Sequence, residues 1–173
     1  VSGTMSINGA TVEVADTDTY AEVFAKIRDA AEMGNATADL NGGTLTIESN
    51  VYGVESMVKL EFDSQQLATA LGFANVNQTE NGTFVNGTVN ADGSVTYETG
   101  DDAEVSLTVP GDGTGFQHTA TVAKDGNKIT VTDNGGFSIS FLADAGYAGD
   151  IDFDVTDMGT MTLHIGANEN QEM

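Results

Sequence analysis

One segment of this chain, Tyr20 to Ala31, repeats its apolar residues every three or four positions, whereas elsewhere the apolar residues recur mostly at every second position. A period of 3.6 puts side chains on one face of a helix, and a period of two puts them on one face of a strand. That switch, out of period two and back again, sets the expectation of an α+β fold with antiparallel strands.

The first period-two stretch runs from Thr4 to Val14, with Met5, Ile7, Val12 and Val14 apolar and Asn8-Gly9 placed for a hairpin turn or bulge. The helix that follows opens on Thr19 with Glu22 three residues later, the spacing of a capping box, and Gly34 stops it. Tyr20, Val23, Phe24, Ile27 and Ala31 form its apolar stripe. Asp16 and Asp18 stand at its positive end and Lys26 and Arg28 in its second half, an arrangement that complements the macrodipole.

Ala36 to Leu40, the turn Asn41-Gly42-Gly43 and Thr44 to Glu48 read as a second hairpin with Leu45 and Ile47 inward. Met57 to Phe62 reads as a strand. Ser64 then caps a short helix carrying Leu67, Ala70 and Leu71 before Gly72. Residues 1–75 are therefore expected to form a compact βαββ(α) unit.

From Asn75 the composition turns to Asn, Gly, Thr and Asp with no helical period, which places a boundary near residues 75–83. Val105/Leu107/Val109, Ile129/Val131, Phe137/Ile139/Phe141 and Ile151/Phe153/Val155 alternate. They are separated by Asp92-Gly93, the Pro110 to Gly115 loop, Asp125-Gly126 and Asn134-Gly135-Gly136. Residues 76–160 are expected to be an all-β antiparallel sheet or small sandwich with one apolar and one Thr/Asp-rich face. Residues 161–173 form a third, short segment.

Charge narrows the function. The 173 residues hold 27 acidic and 5 basic side chains, a formal net charge of −22. Nucleic-acid affinity is built from Lys and Arg displacing counterions on phosphate, so nucleic acid is excluded as a partner, and anionic membranes are disfavoured for the same reason. No stretch approaches the roughly 18 consecutive apolar residues of a bilayer span. The chain opens on Val1 without a basic-then-apolar leader and reads as a soluble piece of a longer protein. With no Cys and one Pro, it folds without disulfides and with little prolyl isomerisation.

The material for catalysis is thin. His118 and His164 are the only imidazoles, and there is no thiol. His118 alternates in phase with Phe116, Ala120 and Val122 as a partly buried strand residue, and His164 reads as an exposed one. Neither HExxH nor GxSxG occurs. Asp150, Asp152, Asp154 and Asp157 imitate the opening of a calcium loop, but Val155 stands where glycine and Met161 where glutamate is needed. Gly111, Gly113 and Gly115 lack the following helix and the lysine of a phosphate loop. Asn-x-Thr sequons occur at Asn35, Asn77, Asn81 and Asn86, and Tyr52, Tyr97 and Tyr147 are the dispersed polar aromatics. No catalytic, cofactor or metal residues are assigned, and the chain is expected not to be an enzyme and to need no cofactor.

Two motifs carry a family resemblance. SINGATVEV (Ser6 to Val14), the helix ending in KIRDA, LTIES (Leu45 to Ser49), Gly53 and LATALGF (Leu67 to Phe73) together resemble the hook-IN motif of bacterial flagellins and of flagellar cap and hook-junction proteins. MTLHIGANENQEM (Met161 to Met173) resembles the flagellin segment that returns from the variable region to the inner helical core. The family usually has Gln where this chain has His164; Leu163, Ile165, Gly166, Ala167 and Asn168 keep the pattern.

The resemblance implies the central, surface-exposed variable region of a flagellin, a secreted structural and antigenic part of the motility filament. It implies other flagellin subunits as partners, through inner helical domains that this chain does not include. The isolated chain is then a monomer. Immune receptors recognise the inner domain of many flagellins, and only Leu163 to Met173 could represent it here. A flagellar cap or hook-junction domain shares the first motif, and an acidic extracellular adhesin or carbohydrate-binding module fits the Asn- and Asp-rich β half.

Overall fold

The computed structural model describes residues 1–109, 116 and 119–152. It is mixed helix and strand, with two helices and mostly small antiparallel sheets, which agrees with the α+β expectation.

β1 (Gly3–Ile7) and β2 (Ala10–Val14) pair in register from Gly3 with Val14 to Ile7 with Ala10. Their turn is Asn8-Gly9, with φ of 47° and 87°, the left-handed pair that a two-residue type I′ hairpin demands. α1 (Tyr20–Met33) carries the full capping box: the Glu22 N–H donates to Thr19 Oγ1, and Glu22 Oε2 accepts the Thr19 N–H at 2.8 Å. Its buried stripe is Val23, Ile27, Ala30 and Ala31. Tyr20 does not belong to it, contrary to the periodicity, because residues 19–22 are all exposed and the stripe is first covered at Val23. Lys26 does not serve the C-terminal end of the helix either. Its Nζ reaches back to Asp18 at 2.6 Å and to the Glu13 carbonyl at 3.0 Å, and the last turn holds no basic residue.

β3 (Ala36–Asn41) and β4 (Thr44–Ser49) form a separate hairpin closed by Gly42-Gly43, so Asn41 lies within the strand rather than in the turn. β5 (Leu60–Phe62) joins the outer side of β1. It is shorter than the expected Met57 to Phe62, and Asn8 is the reason. The Asn8 N–H donates to the Lys59 carbonyl at 2.8 Å, its side-chain Oδ1 accepts the Lys59 N–H at 2.7 Å, and Nδ2 donates to the Met57 carbonyl at 3.3 Å. The hydrogen-bonding groups that would extend the ladder are taken. α2 (Gln65–Ala70) starts at Ser64, whose Oγ accepts the Leu67 N–H at 3.2 Å; it buries Leu67 and Ala68, while Ala70 is exposed.

These elements enclose one core of Met5, Ile7, Val12, Val14, the α1 stripe, Ala36, Ala38, Leu60, Phe62, Leu67 and Ala68. Phe73 closes it at a ring-centroid distance of 5.2 Å from Phe62. At roughly 1.5–3 kcal/mol per fully buried large side chain, such a cluster is the main stabilising term of this part of the chain.

The large sheet continues past the composition change at Asn75. β7 (Phe84–Val85) pairs with β5, and β6 (Asn77–Gln78) pairs with β7, giving the order β2-β1-β5-β7-β6. Phe84 lies opposite Phe62 on the core face. Val85 lies opposite Glu61 on the other face and is 1% exposed, so that face is covered here as well.

Beyond it come β8 (Thr88–Val89) with β9 (Val95–Thr96), and then a three-stranded sheet of β10 (Thr121–Asp125), β11 (Lys128–Thr132) and β12 (Ser138–Leu142). In the latter, Ile129 and Val131 are buried, and the Phe116 and Phe137 rings stand 5.4 Å apart. The opposite face is hydroxylic, with Thr130 Oγ1 and Ser140 Oγ at 2.8 Å and Thr132 Oγ1 and Ser138 Oγ at 3.0 Å. The expected strand at Val105/Leu107/Val109 forms no ladder among the described residues. Leu107 and Val109 pack on the second core while the Ala103 N–H bonds the Gly126 carbonyl. Phe153 and Val155 and residues 161–173 lie outside the described residues, and Ile151 is 44% exposed.

Among the described residues one turn geometry recurs three times, twice at the expected Asp92-Gly93 and Asn134-Gly135-Gly136 separators. At Thr79 to Thr83, Asn90 to Ser94 and Asp133 to Phe137, the first N–H bonds the fifth carbonyl and the fourth N–H bonds the first carbonyl. The fourth residue is in each case a glycine with φ between 76° and 86°. This is the three-residue hairpin loop, a tight turn followed by a left-handed glycine, used as a standard corner.

Candidate functional site

Two polar arrangements among the described residues bear on a site: a cluster at the seam between the two cores, and an open cleft beside it.

The seam is built on Asp102. Its Oδ1 accepts the Gly126 N–H at 3.0 Å and the Val54 N–H at 3.4 Å, and so joins the 3₁₀ turn Gly53–Glu55 to the turn between β10 and β11. Gly53 has a φ of 80°, and a Cβ there would fall 2.6 Å from the Gly126 Cα. The two backbones touch, and the Gly100 N–H adds a bond to Ser56 O at 3.1 Å. Through its one Oδ1 oxygen Asp102 clasps the two turns together.

The cleft encloses about 800 Å³ between β4, segment 51–58 and the β8–β9 hairpin. Tyr52 and Tyr97, two of the chain's four tyrosines, both line it, as do Glu48 and Glu98. The segment around β6 and β7 contributes Asn75, Asn77 and Asn86. No Lys or Arg contributes to its lining.

Tyr97 is held from behind. A Cβ on Gly87 would lie 3.2 Å from Tyr97 Cδ1 and 2.9 Å from Val95 Cγ1, so the ring sits against the Gly87 backbone. The Tyr97 hydroxyl is buried and hydrogen-bonds to no described residue. Burial, and secondarily the charge of Glu61, push its pKa up to about 12. Glu61 itself accepts from Lys59 Nζ at 2.9 Å and from Ser6 Oγ at 3.3 Å. Tyr147 is elsewhere, its hydroxyl donating to the Asp150 carbonyl at 3.0 Å, and Tyr20 is 86% exposed at the start of α1.

His118, His164, Asp154, Asp157 and the Gly111 to Gly115 loop lie outside the described residues. Among the described residues, no three His, Asp or Glu side chains are grouped to hold a metal ion, and no helix is long and apolar enough to cross a membrane. All four sequon asparagines are exposed. Asn35 adopts a φ of 56° after α1, and Asn77 donates to the Gly87 carbonyl at 2.6 Å.

Sequence reasoning missed the convergence of Tyr52 and Tyr97, which are 45 positions apart in the chain. The signal that could have pointed to it is Asn86-Gly87 before a Thr-rich hairpin, since only a residue without a side chain lets an aromatic ring lie against the strand. Comparison with protein-family models, with curated proteins and with solved structures finds no match to this chain.

Proposed function

We propose that this chain is the outer, surface-exposed region of a bacterial flagellin, with a structural and non-catalytic role in the extracellular motility filament. The observation that carries the reading is the behaviour of the stretch resembling the hook-IN motif. Ser6 to Phe73 packs around one core, and Asn8, from the SINGATVEV segment, is bonded both to the end of α1 and to the approach to β5. That core, with the β7 and β6 strands that extend its sheet, can be carried as one folded unit on a larger assembly.

The net charge of −22 suits the same role. Copies displayed side by side repel one another and stay hydrated, which opposes bundling of neighbouring filaments. Contacts between subunits then belong to inner helical domains outside this chain, and the isolated chain is monomeric.

The test is a graft. The chain is inserted between the terminal helical segments of a flagellin whose own variable region has been deleted. Filaments that assemble and are labelled along their length by antibodies to this chain support the proposal. Failure to assemble where the deleted parent assembles, or filaments with the graft inaccessible to antibody, would overturn it.

A further inference from the structure

We propose that the cleft between β4, segment 51–58 and the β8–β9 hairpin binds an uncharged oligosaccharide built of hexopyranose units. The cleft is polar and wide, and its volume falls within the range of small-ligand sites.

Three features select the ligand class. The first is the pair of tyrosines. A pyranose presents a face of C–H bonds whose partial positive charge matches the negative face of an aromatic ring. Tyr52 is 55% exposed and accessible, while Tyr97 is held against Gly87 with its hydroxyl closed off, so the ring and not the hydroxyl is what it offers.

The second feature is the amide set. Sugar hydroxyls both donate and accept, and so do carboxamides. The side chains of Asn75 and Asn86 hydrogen-bond to no described residue, and Asn77 is steadied by its bond to the Gly87 carbonyl, which leaves its own carbonyl oxygen open. Together they supply donors and acceptors on the side of the cleft formed by β6 and β7.

The third feature is charge. Glu48 and Glu98 line the cleft and, among the described residues, no Lys or Arg does. Carboxylates accept hydrogen bonds from vicinal hydroxyls, whereas sulfated or carboxylated sugars meet both these groups and the −22 of the whole chain. Anionic glycans are therefore rejected.

The experiment titrates the 173-residue chain with maltohexaose and with cellohexaose, read by calorimetry and by saturation transfer to the sugar C–H protons. A glucosamine hexamer and a heparin hexasaccharide serve as charged comparisons. We expect one uncharged hexaose to bind and the heparin fragment not to. Tyr52→Ala should weaken binding by about tenfold or more, as truncation of an aromatic anchor does. Asn75→Ala should weaken it less, and Tyr20→Ala, on the exposed start of α1, should leave it unchanged. Each variant's melting midpoint, compared with that of the parent, separates loss of the site from loss of the fold. No binding of either uncharged hexaose at millimolar concentration, binding of charged sugars alone, or binding unaffected by Tyr52→Ala in a folded variant would overturn the proposal.

Discussion

The side-chain Nδ2 of Asn8 donates to the Gly34 carbonyl at 2.7 Å, joining the tip of the first hairpin to the C-terminal cap of α1. The approach is close: a Cβ on Gly34 would lie 2.6 Å from the Ile7 carbonyl oxygen. The same side chain accepts from Lys59 and donates to Met57, so one asparagine satisfies backbone groups of two separate segments. Asn8→Gly keeps the positive φ but leaves those groups unpaired, and should destabilise the fold by about 2–3 kcal/mol in urea titration. Asn8→Ala should be worse, by about 1 kcal/mol, because alanine is strained at this φ.

The contact of Gly53 with Gly126 makes a second test. Gly53→Ala forces a methyl into the Gly126 backbone and the Asp102 carboxylate at a positive φ. It should cost more than about 2 kcal/mol. Asp102→Ala removes the acceptor for two N–H groups without adding bulk and should cost about 1–2 kcal/mol. If denaturation of either variant matches the parent, the seam is not a stabilising contact.

Acid stability should depend on the start of α1. The hydrogen bond from Lys26, with a further one from the Ala15 N–H, holds the Asp18 carboxyl below its ordinary value of 3.8. Hydrogen bonds from the Thr19 backbone and then its hydroxyl lower Glu22 in the same way. A depressed folded-state pKa gives stability that is present above the ordinary value and lost as pH falls through the folded value. Lys26→Met should therefore raise the Asp18 pKa, seen by NMR titration of its carboxyl carbon, and make the acid limb of the stability curve shallower.

Alkaline pH acts through Tyr97 in the opposite sense. Its folded pKa is pushed up to about 12 from 10.0 by burial and by Glu61. The unfolded chain ionises first, so stability is complete below pH 10 and falls as pH rises towards 12. Tyr97→Phe should flatten that limb. It should leave stability at pH 7 equal or slightly higher, since it removes a buried hydroxyl that has no described partner.

Salt should stabilise the chain. At a net charge of −22, repulsion among carboxylates opposes the compact state. Raising the ionic strength from about 0.01 to 0.15 M shortens the Debye length from about 30 to 8 Å. The melting midpoint should rise by about 2–4 °C, the response of a domain of this size to about 1 kcal/mol.

What could be read in the sequence was whatever depends on neighbours along the chain. The Thr19/Glu22 capping box, the Asn8-Gly9 turn, the Ser64 cap and the alternation of Ile129 and Val131 all form as their local chemistry dictates. What could not be read depends on distant partners. Asn8 shortens β5 from 51 residues away, Tyr20 follows the helical period but lies beyond the cover, and β6 and β7 extend a sheet across a change of composition. The cleft belongs to this second kind, because nothing local to Tyr52 announces Tyr97.

The strand ladders also bear on how fast the chain organises itself. Among the described residues, only the pairings of β1 with β5 and of β5 with β7 join strands that are not consecutive; the other ladders there link a strand to the next one along the chain. Short loops close within roughly 10–100 ns and local pairings carry a small entropy penalty. Among these ladders the pairing of β1 with β5, at Ile7 with Leu60, closes the longest stretch of chain, so the local hairpins can form ahead of it and cover their own strand edges early.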